Sequence, residues 1–229
     1  MEISKMEMTQ QTSSRLTVTR LGALAWIVGT VQLLVCHFIV QSAWPTPYSW
    51  SLNNVSDLGN VYCQPWGDNG RYVCSPWHDL MNVSFVVDGL LIIAGVVLIG
   101  SLWSRALTSR AARSFLVIAG LGIVTAGLAP ADINENVHVV LGALPITFLG
   151  NIGLILAGLS PGASQRGRAR LLGPVIGTIG LIATLLFFSG HYLGLGMGGM
   201  ERFAGFNVIA WTLLMGCYLL IKPKKESTQ

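Results

Sequence analysis

The chain has 229 residues, of which 52% are hydrophobic and only 10% charged, with 27 glycines and a formal net charge of +4. So apolar a composition excludes a disordered chain and an ordinary soluble domain. The basic excess sits beside long apolar runs, where it acts as a topology signal and attracts anionic lipid head groups; membrane lipids, not nucleic acid, are the expected partners.

Six runs are long enough to cross a hydrocarbon core, which takes about 20 helical residues. They lie at Leu21–Ala43, Asp79–Trp103, Ser114–Ala129, His138–Leu159, Leu171–Ser189 and Phe203–Ile221. Helix is required because lipid offers no partner to free backbone groups, and no alternating pattern argues for a barrel. The expected fold is therefore all-α: a polytopic membrane protein with one six-transmembrane-helix bundle at 21–221.

Residues 1–20 read as a cytoplasmic tail carrying Lys5, Arg15 and Arg20. The first run is too long for a cleaved signal peptide, and Gln41-Ser42-Ala43 is a poor cleavage site, so it is expected to be retained. The loop at 44–78 is the only long one. It holds Cys63 and Cys74, ten residues apart in between, on the face expected to be oxidising; a disulfide is the main reading and a Cys/His metal site the rival. Cys36 and Cys217 lie in apolar runs and read as buried thiols.

Arg105, Arg110 and Arg113 precede the third run, which looks short. Arg166, Arg168 and Arg170 separate the fourth from the fifth, and Lys222, Lys224 and Lys225 lie in a basic tail at 222–229. Short loops rich in Lys and Arg stay cytoplasmic, so both termini are expected inside. Only Arg71 and Arg202 fall elsewhere, among seven of the ten acids. The glycine-rich stretch at 194–199 reads as a flexible outer turn; it lacks the GK[ST] ending of a phosphate loop. Glycines on the fourth and fifth runs, among them Gly158, Gly173 and Gly177, read as close helix packing.

The chemistry-bearing residues gather in the outer half. His78 and Asp79 begin the second run, Asp132 and His138 bracket the entry to the fourth, and His191 follows the fifth. Asp88 lies roughly 15 Å below the start of its helix at 1.5 Å per residue. A carboxylate there costs at least about 2.5–3.5 kcal/mol to insert, so it is expected to face the bundle interior. Either an interhelical hydrogen bond or a ligand, proton or substrate role would explain it. Asp57, His78, Asp88, Asp132 and His138 are the catalytic candidates, expected to converge on one outward-facing pocket. Ser56, Asn82, His191 and Asp79 are the binding candidates. His78, His138 and His191 begin or end three helices and would suit an open zinc site if they met, although no HExxH or HxxxH enforces it. A metal-free Asp132–His138 acid–base pair is the alternative.

These residues also resemble a family. Asn54-Val55-Ser56-Asp57-Leu58-Gly59, Asn82 with Gly89, and Pro130-Ala131-Asp132 followed by His138 look like the pattern of the bacterial and archaeal "domain of unknown function 998" membrane proteins. The resemblance covers roughly residues 20–220, with a more remote similarity to six-helix proteins of the Frag1 type. It implies a six-helix fold in a prokaryotic cytoplasmic membrane. It adds weight to Ser56, Asp57, Asn82, Asp132 and His138 as a site, and implies no activity. The longer Cys-containing loop departs from the pattern.

Three function classes follow. A membrane-embedded enzyme acting on a lipid or amphiphile explains acid–base residues at an interface without an aqueous domain. A non-catalytic accessory or assembly subunit would use the same residues to stabilise loops. A small-solute or proton-coupled transporter would use Asp88 as its coupling carboxylate.

Overall fold

In the computed structural model, residues 2–67, 70–100, 103–161 and 169–221 are described, with side chains from residue 16 onward. The basic loop residues Arg166 and Arg168 and the tail at 222–229 lie outside the described residues.

Six helices are long and apolar enough to cross a membrane. They are α1 (Glu2–Ser42), α2 (His78–Leu98), α3 (Leu107–Leu128), α4 (Glu135–Leu159), α5 (Ala169–Phe188) and α6 (Gly196–Ile221). Each packs on the next in sequence, and α1 also packs on α6, so the six close into a ring. The spans bury at most 44% of their most apolar window. What they expose is Val28, Val35, Leu90, Leu121, Ile179 and Leu185, an outer surface suited to lipid tails.

Boundaries depart from hydropathy where polar residues enter a helix. α1 is helical from Glu2, so the segment read as a tail continues the first span; the membrane-length part is Leu16–Ser42. α3 starts at Leu107 and reaches 22 residues, which removes the shortness of the third run. Arg110 and Arg113 interrupt the apolar run without interrupting the helix, because Ser109 and Ala112 still face inward. The largest change is at α6. Its first turn is Gly196–Gly199, so four of the six residues read as a flexible turn are helix. Gly196 sits at φ 74° against the Ser51 carbonyl, a position a side chain would clash with, and Gly198 N–H donates to that carbonyl at 2.9 Å. Glu201 and Arg202 consequently lie inside the helix and not ahead of it.

α4 is irregular in a way hydropathy does not show. Asn134 caps it, its Oδ1 accepting from Val137 N–H at 3.1 Å. It then runs with π geometry over His138–Ala143 and Pro145–Gly150 before returning to α at Asn151. Proline cannot donate and its ring crowds the carbonyl four residues back. A wider turn relieves that conflict, and such wide turns recur at functional sites.

Small residues allow the ring to close tightly. Gly89 of α2 lies against the Gly120 carbonyl of α3, and Gly158 of α4 against Pro174 of α5, with no room for a Cβ at either. Side chains then bond across helices: Trp26 Nε1–H to the Ile92 carbonyl at 3.1 Å, Gln32 with Ser84 at 2.9 and 3.0 Å, and Asn151 Nδ2–H to the Ala204 carbonyl at 2.9 Å. Such contacts hold helices together where lipid removes the hydrophobic drive.

Between α1 and α2 the long loop forms a 3-10 turn (Ser56–Gly59) and a short antiparallel hairpin, β1 (Gln64–Trp66) with β2 (Arg71–Val73). Gln64 pairs with Val73, so Cys63 and Cys74 fall opposite one another at the hairpin's open end, where they form a disulfide. Cys36 and Cys217 are free. Thiol titration of the denatured, unreduced protein is expected to find these two thiols and, after a dithiol, all four cysteines; four before reduction would contradict the bridge.

Candidate functional site

Two charged groups organise the loop end of the bundle. Asp57, in the 3-10 turn, is 1% exposed, and Arg71 of β2 meets it with two nitrogens: Nη2–H on Oδ1 at 2.6 Å and Nε–H on Oδ2 at 2.8 Å. Oδ2 also accepts from Asn54 N–H at 2.9 Å and Asn53 Nδ2–H at 3.3 Å. A bidentate guanidinium with two more donors takes up most of a carboxylate's acceptor capacity. The pair thus ties the disulfide-closed hairpin to the turn.

Arg202, on α6, does the same for the preceding segment. Its Nη1–H groups point at the carbonyls of Gly198, Asn53 and Trp50 at 2.7, 2.9 and 3.1 Å, and Nη2–H donates to Tyr48 Oη at 2.5 Å. The guanidinium carbon also lies 4.7 Å from the Trp50 ring centre. Burial pushes the Tyr48 phenol well above its ordinary range, against the opposing pull of Arg202. It stays a neutral phenol, accepting from Arg202 and donating to the Asn54 carbonyl at 2.8 Å.

With the loop held down, a cavity of about 90 Å³ remains inside the ring. Its apolar wall comes from Leu33 of α1, Phe85 of α2, Ile123 of α3, Ile146 of α4, and Phe206 and Ile209 of α6, so five of the six helices contribute. Four polar side chains interrupt that wall: Ser56 from the 3-10 turn, His138 and Thr147 from α4, and Glu201 from α6. Glu201 Oε2 accepts from the Val55 backbone N–H, and Oε1 accepts from Ser56 Oγ–H at 3.2 Å. The carboxylate therefore clasps the turn that roofs the cavity. Thr147 Oγ1–H donates instead to the Ala143 carbonyl at 2.8 Å, within its own helix.

His138 is 7% exposed and lies where α4 enters its π stretch. Its Nδ1 is 2.8 Å from the Ala129 carbonyl. A carbonyl only accepts, so Nδ1 carries a proton, which fixes the tautomer of the neutral ring. The Ala126 carbonyl is a second backbone acceptor beside it.

The sequence candidates make separate hydrogen bonds, with Asp132 close enough to His138 to act on it electrostatically. Of the nine residues singled out, Ser56 and His138 line the cavity. Asp57 is taken up by Arg71 directly behind Ser56. Asp132 Oδ2 accepts from Tyr62 N–H at 2.8 Å, while its Oδ1 has no hydrogen-bond partner among the described residues. Asn82 donates from Nδ2 to the Gly59 carbonyl at 2.9 Å, holding the far end of the turn. His78 bonds the Ser75 carbonyl through Nδ1 at 2.9 Å and lies 3.4 Å from Asp79, which is fully in the open. His191 is exposed and bonds Ser189. Among the described residues no three His, Cys, Asp or Glu side chains stand close enough to hold a metal ion, so the three imidazoles do not form a zinc site there. Asp88 is buried, its two oxygens have no hydrogen-bond partner among the described residues, and it is absent from the cavity wall.

Glu201, Arg71 and Arg202 were not among the candidates. Their signal was nevertheless present: Arg71 and Arg202 are the only bases outside the four basic segments, stranded with acids on the opposite face. Bases so placed are the natural partners of buried polar groups.

The family model described as "Protein of unknown function (DUF998)" matches residues 16–218, and the chain belongs to this family. No curated protein and no solved structure matches the chain.

Proposed function

We propose that this is a multi-pass protein of a prokaryotic cytoplasmic membrane, with both termini in the cytoplasm and the disulfide loop outside. In this reading it is a membrane-embedded enzyme that binds a lipid or other amphiphile in the central cavity and carries out acid–base chemistry on it. The orientation is supported by the charge pattern: twelve of fourteen bases fall in the segments assigned to the cytoplasm and seven of ten acids in the rest.

The observation that carries the functional reading is that Glu201, Ser56 and His138 line one cavity whose remaining wall, Thr147 aside, is apolar. A water-poor site strengthens every polar interaction made inside it. Glu201 is hydrogen-bonded to the Ser56 hydroxyl and is placed to take its proton. His138, held in one tautomer by Ala129, supplies a second proton-transfer group. Asp57 and Arg71 act as positioning residues, since they fix the turn that carries Ser56.

Mass spectrometry of the detergent-extracted protein is expected to find one co-purified amphiphile, lost in Glu201→Gln and in His138→Ala with little change in melting temperature. Retention of the same amphiphile by both variants would remove the cavity from consideration.

A second reading, a non-catalytic accessory subunit, is favoured by one observation: Asp57, Arg71, Asn82 and Arg202 are all engaged in holding the loop. It predicts no bound amphiphile, together with a stable partner protein in mild detergent.

A further inference from the structure

Resting on the amphiphile reading above, we infer that the cavity selects amphiphiles with a cationic amine at the polar end and rejects those with an anionic head group. Among the described residues the wall holds one carboxylate, Glu201, and one imidazole, His138, and no lysine or arginine. The guanidinium groups of Arg202 and Arg71 are both engaged with the loop. Arg202, beside Glu201 in sequence, directs its terminal nitrogens at three loop carbonyls and the Tyr48 hydroxyl. Arg71 grips Asp57 behind the turn.

A phosphate or carboxylate entering the cavity would therefore face the Glu201 carboxylate with no cation in the wall to pair with it, Arg202 acting on Glu201 only from outside the wall, at a cost in both repulsion and desolvation. An ammonium group meets the opposite situation. A carboxylate has about four acceptor sites, and Glu201 has given one on each oxygen, to Val55 N–H and to Ser56 Oγ–H. Room for a further donor remains on each. An ammonium–carboxylate hydrogen bond is about twice as strong as a neutral one.

Size sets a limit as well. At about 90 Å³ the cavity is smaller than the roughly 150 Å³ cavity that holds a single benzene. It has room for a compact head group and the first part of one chain. The chain would continue along Leu33, Ile123 and Ile209.

The test uses the full-length protein in nanodiscs and a long-chain primary amine, alcohol, carboxylate and monophosphate of equal chain length, scored by native mass spectrometry and by concentration-dependent shifts in melting temperature. The amine is expected to bind about tenfold or more tighter than the alcohol, with no saturable binding of either anion. In Glu201→Gln the amine is expected to fall to the level of the alcohol. Equal binding of amine and alcohol by the wild type, saturable binding of either anion, or an amine preference that survives Glu201→Gln overturns the inference and leaves the amphiphile reading standing. Failure of all four ligands to bind overturns the amphiphile reading itself. Should Glu201→Gln not fold, the wild-type ranking alone decides.

Discussion

Asp57→Ala is expected to cost about 3–5 kcal/mol, the usual result of stranding one member of a buried ion pair. Both side chains are out of water, at 1% exposed for Asp57 and 8% for Arg71. Removing the carboxylate leaves the guanidinium without its two strongest partners and Asn54 N–H without its acceptor. Arg71→Ala should cost a similar amount from the other side. Replacing both together, as Asp57→Leu with Arg71→Met, should cost much less than the two single changes added, because no charge is then left unpaired. Thermal unfolding in one detergent, with limited proteolysis of the 44–78 loop, measures the three variants. A cycle in which the single changes are each within about 0.5 kcal/mol of wild type, the range of ordinary surface substitutions, would show that the pair is open to water.

The same pair shows what was legible in the sequence. The six spans and the disulfide were readable because each rests on one local quantity: apolar length for the spans, and two cysteines in one loop for the bridge. His138 was readable as a polar residue at a helix entry, and Ser56 through the Asn54–Gly59 pattern that carries the family resemblance. Glu201 was read at the rim because glycines 196, 198 and 199 look like a helix breaker. In the fold those glycines allow the first turn of α6 to lie on the Ser51 and Asn53 carbonyls, which carries Glu201 inward. Likewise apolar periodicity does not encode the π stretch around Pro145, which comes from the missing N–H and the ring of that one residue. The proposed convergence of Asp57, Asp132 and His78 relied on equal depth alone. Equal depth leaves the rotation of each helix free, and Arg71, Tyr62 and Ser75 each take one of these side chains.

Asp88→Leu is expected to raise stability, by about 1–3 kcal/mol, the penalty attached to a buried polar group without a partner. Asp88 is 0% exposed and neither oxygen has a hydrogen-bond partner among the described residues. One helical turn away, Ser84 and Gln32 are satisfied by each other, and the facing position on α1 is Gly29, whose missing side chain leaves Asp88 Oδ1 only just enough space. Leucine branches at the same carbon and needs no partner. Most core substitutions destabilise, so a gain here would mark Asp88 as a residue kept at a cost in stability, as functional sites commonly are. The proton-coupled transport reading then gains a specific demand: Asp88→Asn must abolish pH-dependent uptake in liposomes while melting no lower than wild type. If Asp88→Leu instead lowers the melting temperature by several degrees, the carboxyl has a partner in the membrane-embedded protein, such as an ordered water. Its burial would then be an interhelical hydrogen bond of the Gln32–Ser84 kind, and the transport reading would lose its coupling group.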